Sequence, residues 1–205
     1  MKTLTLIRHA TANDARASQP DSARNLSELG RFQAEDIAKQ LYSKQWDCRQ
    51  GAAKESNHNV YNIHEDCEPS GNTVENSSAK SINQKNCLPD YLLCSPANRT
   101  LQTATLLCHT LQLNPDIIKV NEILYSGDTD DILSALHGVD SQQLCVVGHN
   151  PHLSWLAHLL CNSTKTITLP PAGVISLAFE IEDWSELTKA QGRLLFFIEP
   201  HHESS

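Results

Sequence analysis

Aromatic side chains make up only 5% of the 205 residues, methionine occurs once, and no run of about 18 apolar residues is present. The last of these excludes a helix that crosses a bilayer, so no membrane partner is expected. Positive charge is also scarce: 16 Lys and Arg stand against 24 Asp and Glu, a formal net charge of −8. Nucleic acids and anionic lipid surfaces are bound through dense Lys/Arg faces, so neither is expected as a partner. The opening stretch Met1–His9 is too short in its apolar part, and polar too soon, for a secretory signal, and the expected location is cytoplasmic. Seven cysteines without a secretory route do not form a disulfide framework. Cys94, Cys108, Cys145 and Cys161 lie in apolar runs, where a thiol serves as a small buried hydrophobe.

What is present is an alternation of short β-prone runs and helical patterns. Lys2 to Ile7 reads as a buried strand that ends abruptly at Arg8-His9. A polar loop runs to about Leu26, and Ser27 is placed to cap a helix with Leu29, Phe32, Ile37 and Leu41 on one face. That pattern dissolves near Trp46. Residues 48–87 then hold 11 apolar residues in 40 positions and no sustained period, which predicts a loop insertion, partly disordered or draped over the domain. The insertion carries Cys48, His58, His64, Cys67 and Cys87, but no C-x-x-C or H-x-x-x-H spacing, so no metal is expected there.

Regularity returns with a strand at Tyr91–Cys94, stopped by Ser95-Pro96, and a helix from Ala97 to Leu111 with Leu101, Ala104, Cys108 and Leu111 inward. Ile117–Val120 is a third strand. Asp128 caps a short helix carrying Ile132, Leu133 and Leu136. Leu144–Gly148 is the clearest strand, and Pro151 opens a helix with Leu153, Leu156, Leu159 and Leu160. Two β-prone runs close the pattern, Val174–Ile181 and Leu194–Ile198, the two expected to pair with each other at one side. The expected fold is a single α/β domain over residues 1–205, three layers with a mostly parallel central sheet and helices on both faces.

Three polar features fall at the carboxyl ends of the predicted strands: Arg8-His9, Arg99 just after Ser95-Pro96, and Gly148-His149-Asn150-Pro151. Taken singly, each is an ordinary surface or capping feature. Together they lie where open α/β sheets bind ligands, and two arginines and two histidines converge there from distant segments. Guanidinium groups would oppose a bound dication, so the set does not suit zinc. It does suit a tetrahedral dianion, because guanidinium forks match phosphate oxygens and a helix start adds backbone N–H groups. A histidine whose far ring nitrogen is held by the backbone can attack phosphorus, and water can hydrolyse the phosphohistidine that forms.

Leu6-Ile7-Arg8-His9-Ala10 resembles the signature of the histidine phosphatase superfamily, the phosphoglycerate-mutase-like clan. Ser95-Pro96-Ala97-Asn98-Arg99-Thr100-Leu101-Gln102-Thr103-Ala104 is similar to its second motif, S-P-x-x-R-x-x-Q-T-A, and Val147-Gly148-His149-Asn150-Pro151 to its third. Order and spacing agree, and the similarity covers most of the chain outside residues 48–87. The resemblance implies His9 as nucleophile, with Arg8, Arg99, His149 and Asn150 about the phosphate, and neither a metal nor an organic cofactor.

Ala10, where many members have glycine, is similar to the small SixA-type branch, as are the compact size, the loop Asp21–Ser27 and the wording Gly148-His149-Asn150-Pro151. That branch implies hydrolysis of a phosphohistidine on a phosphotransfer protein, a signal-transduction role. Its imidazole leaving group needs less help from an acid than an alkoxide does. Mutase-like relatives place a catalytic Glu after the second helix, and Glu122 is the nearest candidate, equally readable as a loop carboxylate. Asp21 and Arg24 read either as a solvated loop or as the pocket mouth. The alternatives are a phosphomonoesterase or mutase acting on a small phosphorylated metabolite, and a non-catalytic phosphate-binding module.

Overall fold

The computed structural model describes residues 1–50, 88–161, 166–189 and 191–201, with side chains of residues 45–50 excepted. Strands β1 (Lys2–Arg8), β2 (Tyr91–Cys94), β3 (Ile118–Val120), β4 (Gln143–Gly148), β5 (Val174–Phe179) and β6 (Arg193–Ile198) form one sheet in the order β3-β2-β4-β1-β5-β6. The first four in that order are mutually parallel. β5 runs antiparallel to β1 and β6 antiparallel to β5, so the two last runs do pair at one side. The sheet is mixed and mostly parallel, as expected.

Helices cover both faces because successive strand residues point to opposite sides. Leu4 and Leu6 of β1, Leu144 and Val146 of β4, and Ile175 and Leu177 of β5 enter one core with Ile132, Leu136, Leu153, Leu156, Leu160 and Trp184. These last residues belong to α4 (Thr129–His137), α5 (His152–Cys161) and the turn Trp184–Glu186. Ile7, Leu92, Cys94, Cys145 and Val147 enter the other core, against Ile37 and Leu41 of α1 (Glu28–Gln50) and Leu107 and Cys108 of α2 (Asn98–Thr110). A one-turn helix of four residues, α3 (Ile123–Ser126), follows β3. Cys94, Cys108, Cys145 and Cys161 are all buried, and burial raises the thiol pKa of Cys94 to about 12.

Two helix expectations are corrected. The inward stripe of α1 runs through Gly30, Ala34, Ile37, Ala38 and Leu41, whereas Leu29 and Phe32 are exposed. The reason is close approach: Ser27 caps the helix, its Oγ accepting from the Gly30 N–H at 3.0 Å, and the same turn meets the loop after β1. Thr11 O accepts from both the N–H and the hydroxyl of Ser27, and a Cβ on Gly30 would overlap that carbonyl. Small residues therefore face inward at the start of α1, and the bulky ones turn out. The helix also continues past Trp46 to Gln50, so it takes in the first positions of the expected insertion. The rest of that insertion, with His58, His64, Cys67 and Cys87 and the side chain of Cys48, lies outside the described residues.

At the other caps the local chemistry matches the sequence. Asp128 accepts from the N–H groups of Asp130 and Asp131, and Asp131 returns a bond to the Asp128 N–H, a reciprocal cap on α4. No helix among the described residues is long and apolar enough to cross a membrane.

Candidate active site

Register alone brings the first and third motifs together. Arg8 pairs with Gly148 across β1 and β4, so the next residues, His9 and His149, leave the sheet side by side, and the His9 N–H donates to Gly148 O at 3.0 Å. Their ring centroids stand 5.0 Å apart, edge to face. On the far side of β4, Cys94 of β2 pairs with Val147, which carries Ser95 to the same level. The expected residues Arg8, His9, Arg99, His149 and Asn150 all line one cavity of about 590 Å³, with Thr11, Ala12, Asp21, Arg24, Tyr125, His152 and Pro171.

The second motif is legible residue by residue. Ser95 Oγ lies 2.8 Å from Nε2 of His149. Arg99, on the first turn of α2, is 6% exposed and reaches both imidazoles. Gln102 and Thr103, three and four residues on, share its helix face. Gln102 Oε1 accepts from the Leu26 N–H at 2.7 Å and steadies the loop after Asp21, while Thr103 Oγ1 accepts from the Ala10 N–H at 3.2 Å. Ala104 packs in the core.

Hydrogen-bond partners settle the tautomers. Nδ1 of His9 sits 2.7 Å from Ala10 O, and a carbonyl only accepts, so Nδ1 carries the proton. Nε2 then presents its lone pair, and Arg99 Nε donates to it at 3.2 Å. In His149, Nδ1 accepts from Arg99 Nη2 at 3.4 Å, which leaves the Nε2–H to donate to Ser95 Oγ. Both rings are held neutral. Burial, opposed by the Ala10 hydrogen bond and aided by the nearby Arg99, Arg8 and Arg24, lowers the His9 pKa to about 4. Burial and the facing His9 and Arg99 lower that of His149 to about 3. An arriving anion opposes those charges and favours protonation of His149.

Arg8 Nη1 donates to Leu169 O at 3.0 Å, and its Nε is buried with no partner among the described residues. A buried N–H of that kind costs stability until an acceptor meets it, as an anion oxygen would. The side chain of Asn150, expected at the phosphate, is engaged on structure instead: Nδ2 donates to Leu169 O at 2.8 Å, and Oδ1 accepts from Ser154 Oγ at 2.8 Å. It joins the loop before β5 to the start of α5. Glu122 is exposed and does not line the cavity.

Two groups carried little local signal. Asp21, in the turn Asp21–Ala23, accepts from Arg99 Nη2 at 2.7 Å through Oδ2 and from Arg24 Nη1 at 2.9 Å through Oδ1. Tyr125 of α3 donates to Asp21 Oδ2 at 3.2 Å and meets the His149 ring edge to face at 5.5 Å. Of the two, only Asp21 stands out in the sequence, as a solvated loop residue or part of the pocket mouth. No group of three or more His, Cys, Asp or Glu suited to a metal occurs among the described residues.

A bowl with three arginines, two neutral imidazoles and a buried unmet donor, set at the strand ends of an α/β sheet, has the chemistry to take up an oxyanion. Solved structures share this fold. One assigned as the phosphohistidine phosphatase SixA from Nakamurella multipartita is 20% identical, covers 97% of this chain and 96% of its own, and superposes with a TM-score of 0.65. The protein histidine phosphatase SixA complexed with tungstate is likewise 20% identical, with 97% of each chain covered and a TM-score of 0.61. A mycobacterial glucosyl-3-phosphoglycerate phosphatase is 15% identical over 96% of this chain and 98% of its own, with a TM-score of 0.53. No family model matches the chain, and no curated protein matches it in sequence. The chain thus has the phosphoglycerate-mutase-like fold found in the SixA structures and in related phosphatases, and the resemblance seen in the three motifs extends to the architecture.

Proposed function

We propose that this chain is a phosphatase of the SixA type, a cytoplasmic enzyme of signal transduction that removes the phosphoryl group from a phosphohistidine on a phosphotransfer protein through a phospho-His9 intermediate. The observation that carries the reading is the state of His9: Nδ1 is tied to Ala10 O, and Nε2 stands unprotonated beside Arg99. A neutral imidazole nitrogen is a competent nucleophile, and the low pKa keeps it so at neutral pH.

As the phosphoryl group enters, Arg99 Nε–H turns from His9 Nε2 to a phosphoryl oxygen and frees the lone pair. Nε2 bonds to phosphorus, the phosphorus–nitrogen bond of the substrate breaks, and the departing imidazole takes its proton from solvent water. Arg8 Nε finds its missing acceptor, and His149, once protonated, donates through Nδ1 to a second oxygen. Once Arg99 has turned and His149 is protonated, charge on the transferring group is met by donors gathered around it. Water then attacks phospho-His9, inorganic phosphate leaves, and His9 returns to its starting tautomer. Asn150 holds the loops together through Leu169 and Ser154, at the edge of the cavity. Neither a metal nor an organic cofactor has a part in these steps.

Brief incubation with a phosphohistidine protein labelled in the phosphoryl group, followed by denaturation, should trap an acid-labile, base-stable label that His9→Ala abolishes. A non-catalytic phosphate binder would trap none. The second reading, a phosphomonoesterase or mutase for a small phosphorylated metabolite, is supported by the shared fold of the mycobacterial glucosyl-3-phosphoglycerate phosphatase. Turnover of phosphohistidine protein against a panel of metabolite phosphates separates the two.

A further inference from the structure

Asp21 is the sole acidic residue among those that line the cavity. Its carboxylate is gripped by Arg99 Nη2 at 2.7 Å, Arg24 Nη1 at 2.9 Å and the Tyr125 hydroxyl at 3.2 Å, and its backbone O accepts from Arg99 Nη1 at 2.7 Å. Arg99 thereby gives out four bonds, two to Asp21 and one to each imidazole. A guanidinium has five N–H groups, so a single one is left. A phosphoryl dianion seeks a forked pair from such a side chain, and it obtains one only by replacing a bond that Arg99 already makes. The Asp21 side chain is half exposed while that of Arg99 is nearly buried, so the carboxylate stands between the solvent and the cation.

We propose that Asp21 is a built-in counter-anion that competes with incoming phosphoryl groups for Arg99 and Arg24 and makes the site select against ligands carrying further negative charge beside the phosphoryl group. The inference rests on reading the cavity as a phosphoryl site. The hydrogen bond from Arg24, with those from Arg99 and Tyr125, holds the Asp21 pKa down to about 2, so the carboxylate is ionised throughout the working range. Such a residue offers no proton to a leaving group. It does tolerate a neutral imidazole leaving group, and it repels an ester whose leaving group bears a carboxylate. It also limits retention of the product, inorganic phosphate.

Asp21→Asn keeps the shape and one of the two oxygen acceptors but removes the charge. Titration calorimetry with inorganic phosphate should show binding about tenfold tighter in the variant than in the wild type, since like charges this close repel strongly even at a half-exposed position. The kcat/KM for 3-phosphoglycerate relative to p-nitrophenyl phosphate should rise by a similar factor. Phosphate binding that is unchanged or weaker in Asp21→Asn, or a loss of kcat/KM equal for both esters, overturns the proposal and leaves Asp21 as a support for Arg99. Asp21→Ser, checked for folding by circular dichroism, gives the same comparison if the asparagine variant is unstable. Wild-type protein that binds no phosphate and traps no phosphoenzyme would instead refute the phosphoryl-site reading, and this inference with it.

Discussion

Arg99 Nε donates to His9 Nε2 at 3.2 Å, a bond between residues 90 positions apart that links the second motif to the first. The other guanidinium nitrogens reach His149 and Asp21, so one side chain organises the whole cavity. Lysine carries the charge without the planar fork and cannot make this set of bonds. Arg99→Lys should lower kcat/KM on a phosphohistidine protein by about 10²–10³-fold, the range typical for loss of a transition-state donor. Steady-state rates, with circular dichroism to verify folding, test this.

Both imidazoles should make stability depend on pH. Their folded-state pKa values, about 4 for His9 and about 3 for His149, lie below the ordinary value of 6.5. Between those limits the unfolded chain binds the protons, so stability rises with pH. Taking the protein from pH 7 to pH 5 should cost roughly 1–2 kcal/mol for each ring. Urea unfolding at the two pH values measures the slope, and His9→Ala with His149→Asn should remove much of it. An equal slope in wild type and double variant would mean that the rings are not held neutral by the fold.

Gly30 faces the Thr11 carbonyl at the cap of α1, where a methyl group has no room. Gly30→Ala, which in an open helix would add stability, should instead destabilise by roughly 1–3 kcal/mol. Because Thr11 lines the cavity, activity should fall as well. Thermal melts and initial rates read the two effects, and a raised Tm would contradict the packing described.

Glu122 stands outside the cavity, exposed at the start of α3. Glu122→Gln should change kcat/KM less than about twofold on phosphohistidine and on alkyl phosphates alike, as surface changes away from a site do. A strong loss confined to alkyl phosphates would support the mutase-like reading.

Strands and most helices were legible because their signals are local. A β-prone run ending at a polar pair, or Asp128 before an apolar period, reports backbone conformation within a few residues. The face of α1 was not legible: Leu29 and Phe32 look like core residues, and only contact with Thr11 shows why Gly30 and Ala34 take that side. The same holds for Asn150, whose amide finds Leu169 and Ser154 before any ligand. Asp21 shows the limit most sharply, because its charge matters through Arg99, 78 positions away.

The order of strands and helices, the placing of Arg8, His9, Arg99 and His149 at strand ends, and the anion-seeking character of that set follow from the sequence alone. Residue types and short-range periodicity are enough for these. Tertiary structure decided which side chains face the bowl, which imidazole nitrogen carries a proton, and that an aspartate already occupies the arginine fork. Those properties depend on burial and on hydrogen-bond partners brought together by sheet register, and neither is written in any one stretch of the chain.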